Sequence, residues 1–229
     1  MAQSLSGLPP APAYWEDACG SLSSSCAVMR ALISQHSRDC LQPRGDPFHT
    51  LARSIVGQQI SVKAAASVWA RVEVFCAGRV DAPRVAHATV QDLRACGLSE
   101  RKAEYLRALG LAFVSGRIDP PAWAELPDEK VIAALVQERG IGRWTAEMFL
   151  IFNLMRPDVW PLDDIGLLRA VALHFGEEGS AQGPEKGVAR SPLRASRDQA
   201  RAVGEGLRPW RSVATWYLWR SLDPVPVAY

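Results

Sequence analysis

Apolar residues in this chain return every three to five positions, while alternating β-branched runs are scarce. Between Phe48 and Cys76, the residues Phe48, Leu51, Ile55, Ile60, Ala64 and Val68 keep that rhythm, with a break near Gly57-Gln58-Gln59. A period near that of the α-helix buries one helical face, whereas a half-buried strand needs alternation. No Asn-Gly or Asp-Gly pair marks a tight turn between strands. The chain is therefore expected to be all-α, with short connections marked by Gly or Pro. Thr89 opens a capped helix running toward Gly97. Ser99 opens another that keeps Ala103, Leu106, Leu109 and Phe113 on one side. Pro127 and two acids start a third helix, ending at Gly140, and a fourth is expected over 143–154.

With 229 residues the chain can bury one large core or two small ones. Its 48% hydrophobic and 22% charged content is that of an ordinary globular protein. The net charge is only +2, so any grip on nucleic acid has to come from a local face. No apolar run approaches the roughly twenty residues of a membrane span. Residues 1–13 lack the features of a secretory signal and read as a disordered tail, since Pro9, Pro10 and Pro12 discourage helix until Tyr14. The cysteines Cys19, Cys26, Cys40, Cys76 and Cys96 form no CxxC pair and are odd in number, which suits a reduced, cytosolic protein. None follows Cys96, so a C-terminal iron–sulfur cluster is excluded, and no metal site is expected. Residues 176–197, rich in Gly, Ser and Pro, read as a flexible loop inserted between helices, carrying Lys186, Arg190, Arg194 and Arg197.

Two stretches carry chemistry. "ERGIGRWTAEMF", residues 138–149, places Gly140 and Gly142 around one isoleucine just before a helix. Such glycines serve a tight turn between helices, or they let a phosphate approach the free N–H groups of a helix start beside Arg143. Read alone, the stretch leaves both open, with the plain turn favoured. In "WPLDDIGLLRAV" two acids precede an apolar helix. Asp163 reads as its N-cap, and Asp164 as a first-turn acid where the helix dipole favours the ionised form. Trp144, Met148 and Ile151 share a helical face and read equally well as core.

The order of these segments resembles the helix-hairpin-helix DNA glycosylases, and most closely the 3-methyladenine DNA glycosylase II branch in a short form. "SIVGQQISVKAA" (54–65), "GIGRWTAEMFLIF" (140–152), "WPLDD" (160–164) and "RPWRSVATWYLW" (208–219) carry the resemblance, which runs from about Tyr14 to about Asp223. It implies two helical lobes around a cleft: one built from 14–54 plus 161–229, the other from 55–160 and containing the hairpin. It also implies that the β domain of longer relatives is absent before Tyr14.

By the same resemblance, the hairpin binds a DNA phosphate through Gly140, Gly142 and their neighbours, with Arg143 and Thr145 as supporting donors. A monovalent cation is often held there by carbonyls, and no cofactor is needed. Asp164, fixed by its spacing to Arg169, corresponds to the catalytic aspartate. A carboxylate suits the task, because breaking an N-glycosidic bond develops positive charge on the sugar. Trp144 and Trp219 match pocket positions that would hold a flipped, positively charged base by cation–π attraction. Met148 departs from relatives that carry an aromatic residue there. Tyr14 and Trp15 are further aromatic candidates without a motif behind them. Gln58 and Gln59 sit where the family inserts a side chain into the gap left by the flipped nucleotide, and Lys102 fits a second backbone contact. Relatives that also cleave the strand carry a lysine where this chain has Trp144, so a monofunctional hydrolase is implied. The expected partner is duplex DNA with alkylated bases. The protein would act as a monomer away from membranes, in the cytoplasm with the nucleoid if bacterial and in the nucleus if eukaryotic. The competing reading is a non-catalytic helix-hairpin-helix module that only grips DNA.

Overall fold

The computed structural model describes residues 11–37, 39–176 and 194–222. Among these residues there are twelve α-helices, one short 3-10 turn and no strand, as the periodicity requires. Contacts divide the chain into two units. One holds the residues up to Pro43 and those from Met155, and the other runs from Arg44 to Leu154. The expected lobe boundaries at 54/55 and 160/161 lie several residues later than these. The first differs because the helix Pro47–Gly57 belongs to the second unit.

The discontinuous unit contains α1 (Trp15–Ser25), α2 (Ala27–Gln35), α10 (Ile165–Phe175), α11 (Arg197–Glu205) and α12 (Arg211–Leu222). Its core gathers Trp15, Leu22, Met29, Tyr217 and Leu218, all nearly inaccessible to solvent. The aromatic candidates of the N-terminus belong to that core. Trp15 packs edge-on against Trp216, and Tyr14 stacks on Trp210. A second anchor comes from "RPWR": Arg211 donates to the Asp158 carboxylate at 2.7 and 3.0 Å, and Arg208 reaches the same group at 2.9 Å. Gly204 is needed for close approach, since a Cβ there would lie 2.6 Å from Trp160 Nε1. That indole N–H donates to the Ala200 carbonyl.

Of the loop expected at 176–197, residues 177–193 lie outside the described residues, as do residues 1–10 of the expected N-terminal tail. The described end is a helix start instead. Ser196 and Gln199 form a reciprocal cap on α11, and Arg197 is its first residue. The capping signal "SRDQ" lies in a stretch whose Gly and Ser content hid it.

The continuous unit contains α3 (Pro47–Gly57), α4 (Val62–Phe75), α5 (Ala82–His87), α6 (Val90–Ala95), α7 (Glu100–Val114), α8 (Asp128–Leu135) and α9 (Arg143–Phe152). Its helix starts follow local chemistry. Asp46, Ser61, Asp81 and Ser99 each accept a first-turn N–H, and Thr89 forms a reciprocal cap with Asp92. Leu51 and Ile55 of α3, Leu106 and Leu109 of α7, Leu135 of α8 and Phe149 of α9 form the core. The third and fourth expected helices are each shorter than the sequence suggested. One ends at Leu135 rather than near Gly140, and the other at Phe152.

Candidate DNA-processing site

The hairpin joins α8 to α9 through residues 136–142. Its turn is closed by the Glu138 N–H on the Leu135 carbonyl and the Ile141 N–H on the Glu138 carbonyl, each 3.1 Å, and Ile141 is buried. The two glycines do different things. Gly140 has φ +90°, and a Cβ there would lie 2.5 Å from the Tyr105 ring, so the fold itself demands glycine. Gly142 has an ordinary extended backbone (φ −93°, ψ 170°), and a Cβ there would meet nothing within 4 Å. It is the N-cap of α9 and offers no capping side chain to the first-turn amides. A helix start without a capping side chain, next to open space, suits a phosphate oxygen.

The side chains expected to support that grip are otherwise engaged. Arg143 holds Glu129 through two hydrogen bonds of 3.0 and 2.5 Å and donates to Glu147 at 2.9 Å. The bond to Glu129 raises the guanidinium pKa further above its ordinary value, so the cation is firmly paired. Thr145 is buried, 5% exposed, and faces a pocket rather than the outside of the turn. Lys102 does not reach out from α7: its Nζ donates to the carbonyls of Val56 (2.8 Å) and Gln58 (2.6 Å). It therefore satisfies the end of α3, and burial pushes its pKa below the usual lysine value. Lys102→Met would orphan two carbonyls under the 58–61 turn. A loss of about 1–2 kcal/mol is expected in thermal unfolding, near the lower end for bonds to a charged group.

Gln58 and Gln59 are likewise separated by the structure. Gln58 Nε2 donates to the Gly140 carbonyl at 2.8 Å, which ties the α3–α4 turn to the hairpin across 82 residues of sequence. Gln59 is exposed and holds φ +57°, a left-handed conformation costing a non-glycine residue about 1–2 kcal/mol. Of the pair, Gln59 is the one displayed.

Beneath this turn α3, α4 and α9 enclose a pocket of about 440 Å³. Trp144, Thr145, Met148 and Phe152 form one wall, and Leu51, Gln58, Gln59 and Trp69 contribute to the others. The helical stripe of Trp144 and Met148 is thus both core and lining: Met148 is 8% exposed, and Trp144 is half-buried.

In the other unit, Asp164 corrects the expected register of the acid pair. Asp164, not Asp163, is the N-cap of α10, and its Oδ1 accepts the Leu167 N–H at 2.6 Å. The same oxygen accepts the Trp219 indole N–H at 2.7 Å. Asp163 turns outward to pair with Arg197 at 2.5 Å. Gly166 makes room for the indole, since a Cβ there would sit 3.0 Å from Asp164 Oδ1 and 3.1 Å from Trp219 Cδ1. The carboxylate is therefore held in one orientation by a helix start and by a side chain 55 residues away. Sequence reasoning missed Gly166, Gln58's inward turn and the pocket arginines Arg44 and Arg53. Each owes its position to partners distant in the chain.

Comparison with known proteins places the chain in a family. Residues 52–189 match the pattern described as "HhH-GPD superfamily base excision DNA repair protein". The chain is 31% identical over 194 residues to DNA-3-methyladenine glycosylase 1 of Schizosaccharomyces pombe, covering 83% of this chain and 78% of that protein. A structure of a 3-methyladenine DNA glycosylase of the same yeast, in complex with abasic DNA, superposes with a TM-score of 0.71 at 28% identity, covering 90% of this chain and 96% of that one. A DNA-3-methyladenine glycosidase from Bacillus halodurans gives 0.68 at 31% identity, covering 86% and 89%. The match spans more than half of the chain and includes the hairpin and the Asp164 helix. The protein belongs to the HhH-GPD superfamily of base excision DNA repair proteins.

Proposed function

We propose that this chain is a 3-methyladenine DNA glycosylase: a monofunctional, monomeric enzyme that hydrolyses the N-glycosidic bond of alkylated purines in duplex DNA for base excision repair. The observation that carries this reading is Asp164, a carboxylate fixed by the Leu167 and Trp219 N–H groups in a chain of this family. A module that only grips DNA has no use for such a group, nor for a lined pocket of base-accommodating size.

In this reading the amides at Gly142 and the start of α9 take a DNA phosphate. Gln59 enters the gap left by the flipped nucleotide, its strained backbone holding it at the tip of the turn. The base enters the pocket lined by Trp144 and Met148. As the bond from sugar to base breaks, Asp164 stabilises the cationic sugar and orients the water that adds to it. No cofactor enters this chemistry. A monovalent cation at the hairpin would use the Glu138 and Gly140 carbonyls, each with a second lone pair beyond the hydrogen bond it accepts, and would supply positive charge toward the phosphate. Among the described residues no helix is long and apolar enough to cross a membrane. The enzyme would work wherever chromosomal DNA is held, in the cytoplasm of a bacterium or the nucleus of a eukaryote.

By the family resemblance Trp144 stands where strand-cleaving relatives carry a Schiff-base lysine, so intact abasic sites are expected as product. Borohydride should trap no covalent complex, and strands should break only after alkali. Trapping, or cleavage without alkali, would contradict the hydrolytic assignment. Trp219→Phe keeps an aromatic ring but removes the donor to Asp164. Single-turnover base release is expected to fall about 10- to 100-fold, as for loss of a hydrogen bond to a charge, with DNA affinity unchanged in filter binding.

A further inference from the structure

Gln58 joins two stretches of backbone that the glycosylase reading uses separately. Its Nε2 donates to the Gly140 carbonyl at 2.8 Å. That carbonyl shares a peptide group with the Ile141 N–H, which donates to the Glu138 carbonyl at 3.1 Å. Both polar ends of this one peptide are therefore tied. The tie matters because Gly140, at φ +90°, has no side chain of its own to hold the plane. The same peptide leads through Gly142 into the first turn of α9.

The other end of the strut is equally fixed. Gln58 is the C-cap of α3, and its carbonyl accepts from Lys102 Nζ beside that of Val56. Ser61 then caps α4 by accepting the Ala64 N–H. Between these ends Gln59 and Ile60 stand exposed, Gln59 at φ +57°. A left-handed residue with a Cβ persists only where its surroundings over-determine it. Helix α7 backs both parts: Lys102 holds the turn, and Tyr105, three residues on along the same face, is the ring against which Gly140 packs.

We propose that Gln58 is a positioning residue: its amide sets the turn that displays Gln59 at a fixed distance from the phosphate socket of α9. Gripping the DNA backbone and filling the gap left by the flipped nucleotide then occur in register. The proposal rests on the reading above, in which Gln59 is the inserting side chain and the α9 amides take a phosphate. Gln58 acts through Gln59 and touches no DNA itself. Precision matters at such a joint, since a misplacement of about 1 Å can cost about a hundredfold in rate.

The test is a double-mutant cycle on Gln58→Leu and Gln59→Ala. Leucine keeps most of the volume and removes the donor. The substrate is a duplex with one 7-methylguanine and 2-aminopurine as its 3′ neighbour, whose fluorescence rises as the lesion leaves the stack. Gln58→Leu should lower single-turnover base release about 10-fold and shrink the fluorescence rise. Affinity for undamaged duplex and its salt slope should stay as in wild type. In the Gln59→Ala background the same change should cost less than about twofold. Placing the lesion opposite a mismatched base, where flipping is easier, should restore most of the loss.

A 10-fold loss that persists in the Gln59→Ala background would give Gln58 a role independent of Gln59 and overturn the proposal. So would a loss of affinity for undamaged duplex, which would make Gln58 part of the grip, or full activity in Gln58→Leu. Lys102→Met frees the same turn from α7 and should reproduce the pattern. It decides the matter if Gln58→Leu lowers the melting temperature enough to obscure its rates. Gln59→Ala as active as wild type would remove the insertion role and the proposal with it, leaving the glycosylase reading intact. A wild type that releases no base would remove that reading as well.

Discussion

Asp164→Asn is expected to lower single-turnover base release by about a thousandfold or more while DNA affinity and melting temperature stay near wild type. The substitution is close to isosteric, and asparagine caps helices about as well as aspartate, so the start of α10 should persist. The amide oxygen can still accept the Leu167 and Trp219 N–H groups that now meet Oδ1. What disappears is the negative charge that balances a cationic sugar, together with a base for the attacking water. Asp163→Asn is the matched control. Asp163 pairs with Arg197, its side chain 44% exposed, so activity should remain within about twofold of wild type, as for an exposed ion pair. Equal losses in the two variants, measured by release of free base, would return the acid pair to a purely structural role.

The hairpin offers the second large effect, because its glycines should fail in different ways. Gly140→Ala would put a methyl group into the Tyr105 ring and force φ +90° on a residue with a Cβ. Backbone strain and overpacking together should cost about 2–4 kcal/mol, read in denaturant or thermal unfolding. Gly142→Ala meets no neighbour and needs no unusual backbone, so stability should change by less than about 0.5 kcal/mol. If a phosphate sits at this helix start, the methyl group would enter the open space that it uses. DNA affinity should fall about 10-fold at fixed salt, the equivalent of roughly 1.4 kcal/mol. If Gly142→Ala binds DNA as wild type does, the amides of α9 are not the phosphate socket. If Gly140→Ala is as stable as wild type, the packing against Tyr105 is not what selects glycine there.

The parts of this structure legible in the sequence are those governed by neighbours in the chain. Thr89 and Ser99 could be read as caps because a cap needs only the next three residues. The break at Gly57-Gln58-Gln59 interrupts a period that can be counted directly. The acid pair was not legible in the same way. Local patterning cannot choose between Asp163 and Asp164 as N-cap, and the choice is settled by Trp219 on one side and Arg197 on the other. The resemblance gives Lys102 a contact to the DNA backbone, but its acceptors are carbonyls 44 and 46 residues away in its own chain. Gln58 finds its partner 82 residues away, and no spacing rule announces it. The family resemblance placed Trp144, Asp164 and Trp219 on named positions. It could not say that Arg143 would be spent on Glu129, 14 residues away, as well as on Glu147 of its own helix.

Release of free 3-methyladenine from methylated duplex DNA, resolved by chromatography and paired with counts of abasic sites, decides whether the protein is a glycosylase. Free base and abasic sites should accumulate in equal numbers, in unbroken strands. Tight binding to the same DNA with neither product would contradict the glycosylase reading and leave the hairpin as a grip alone.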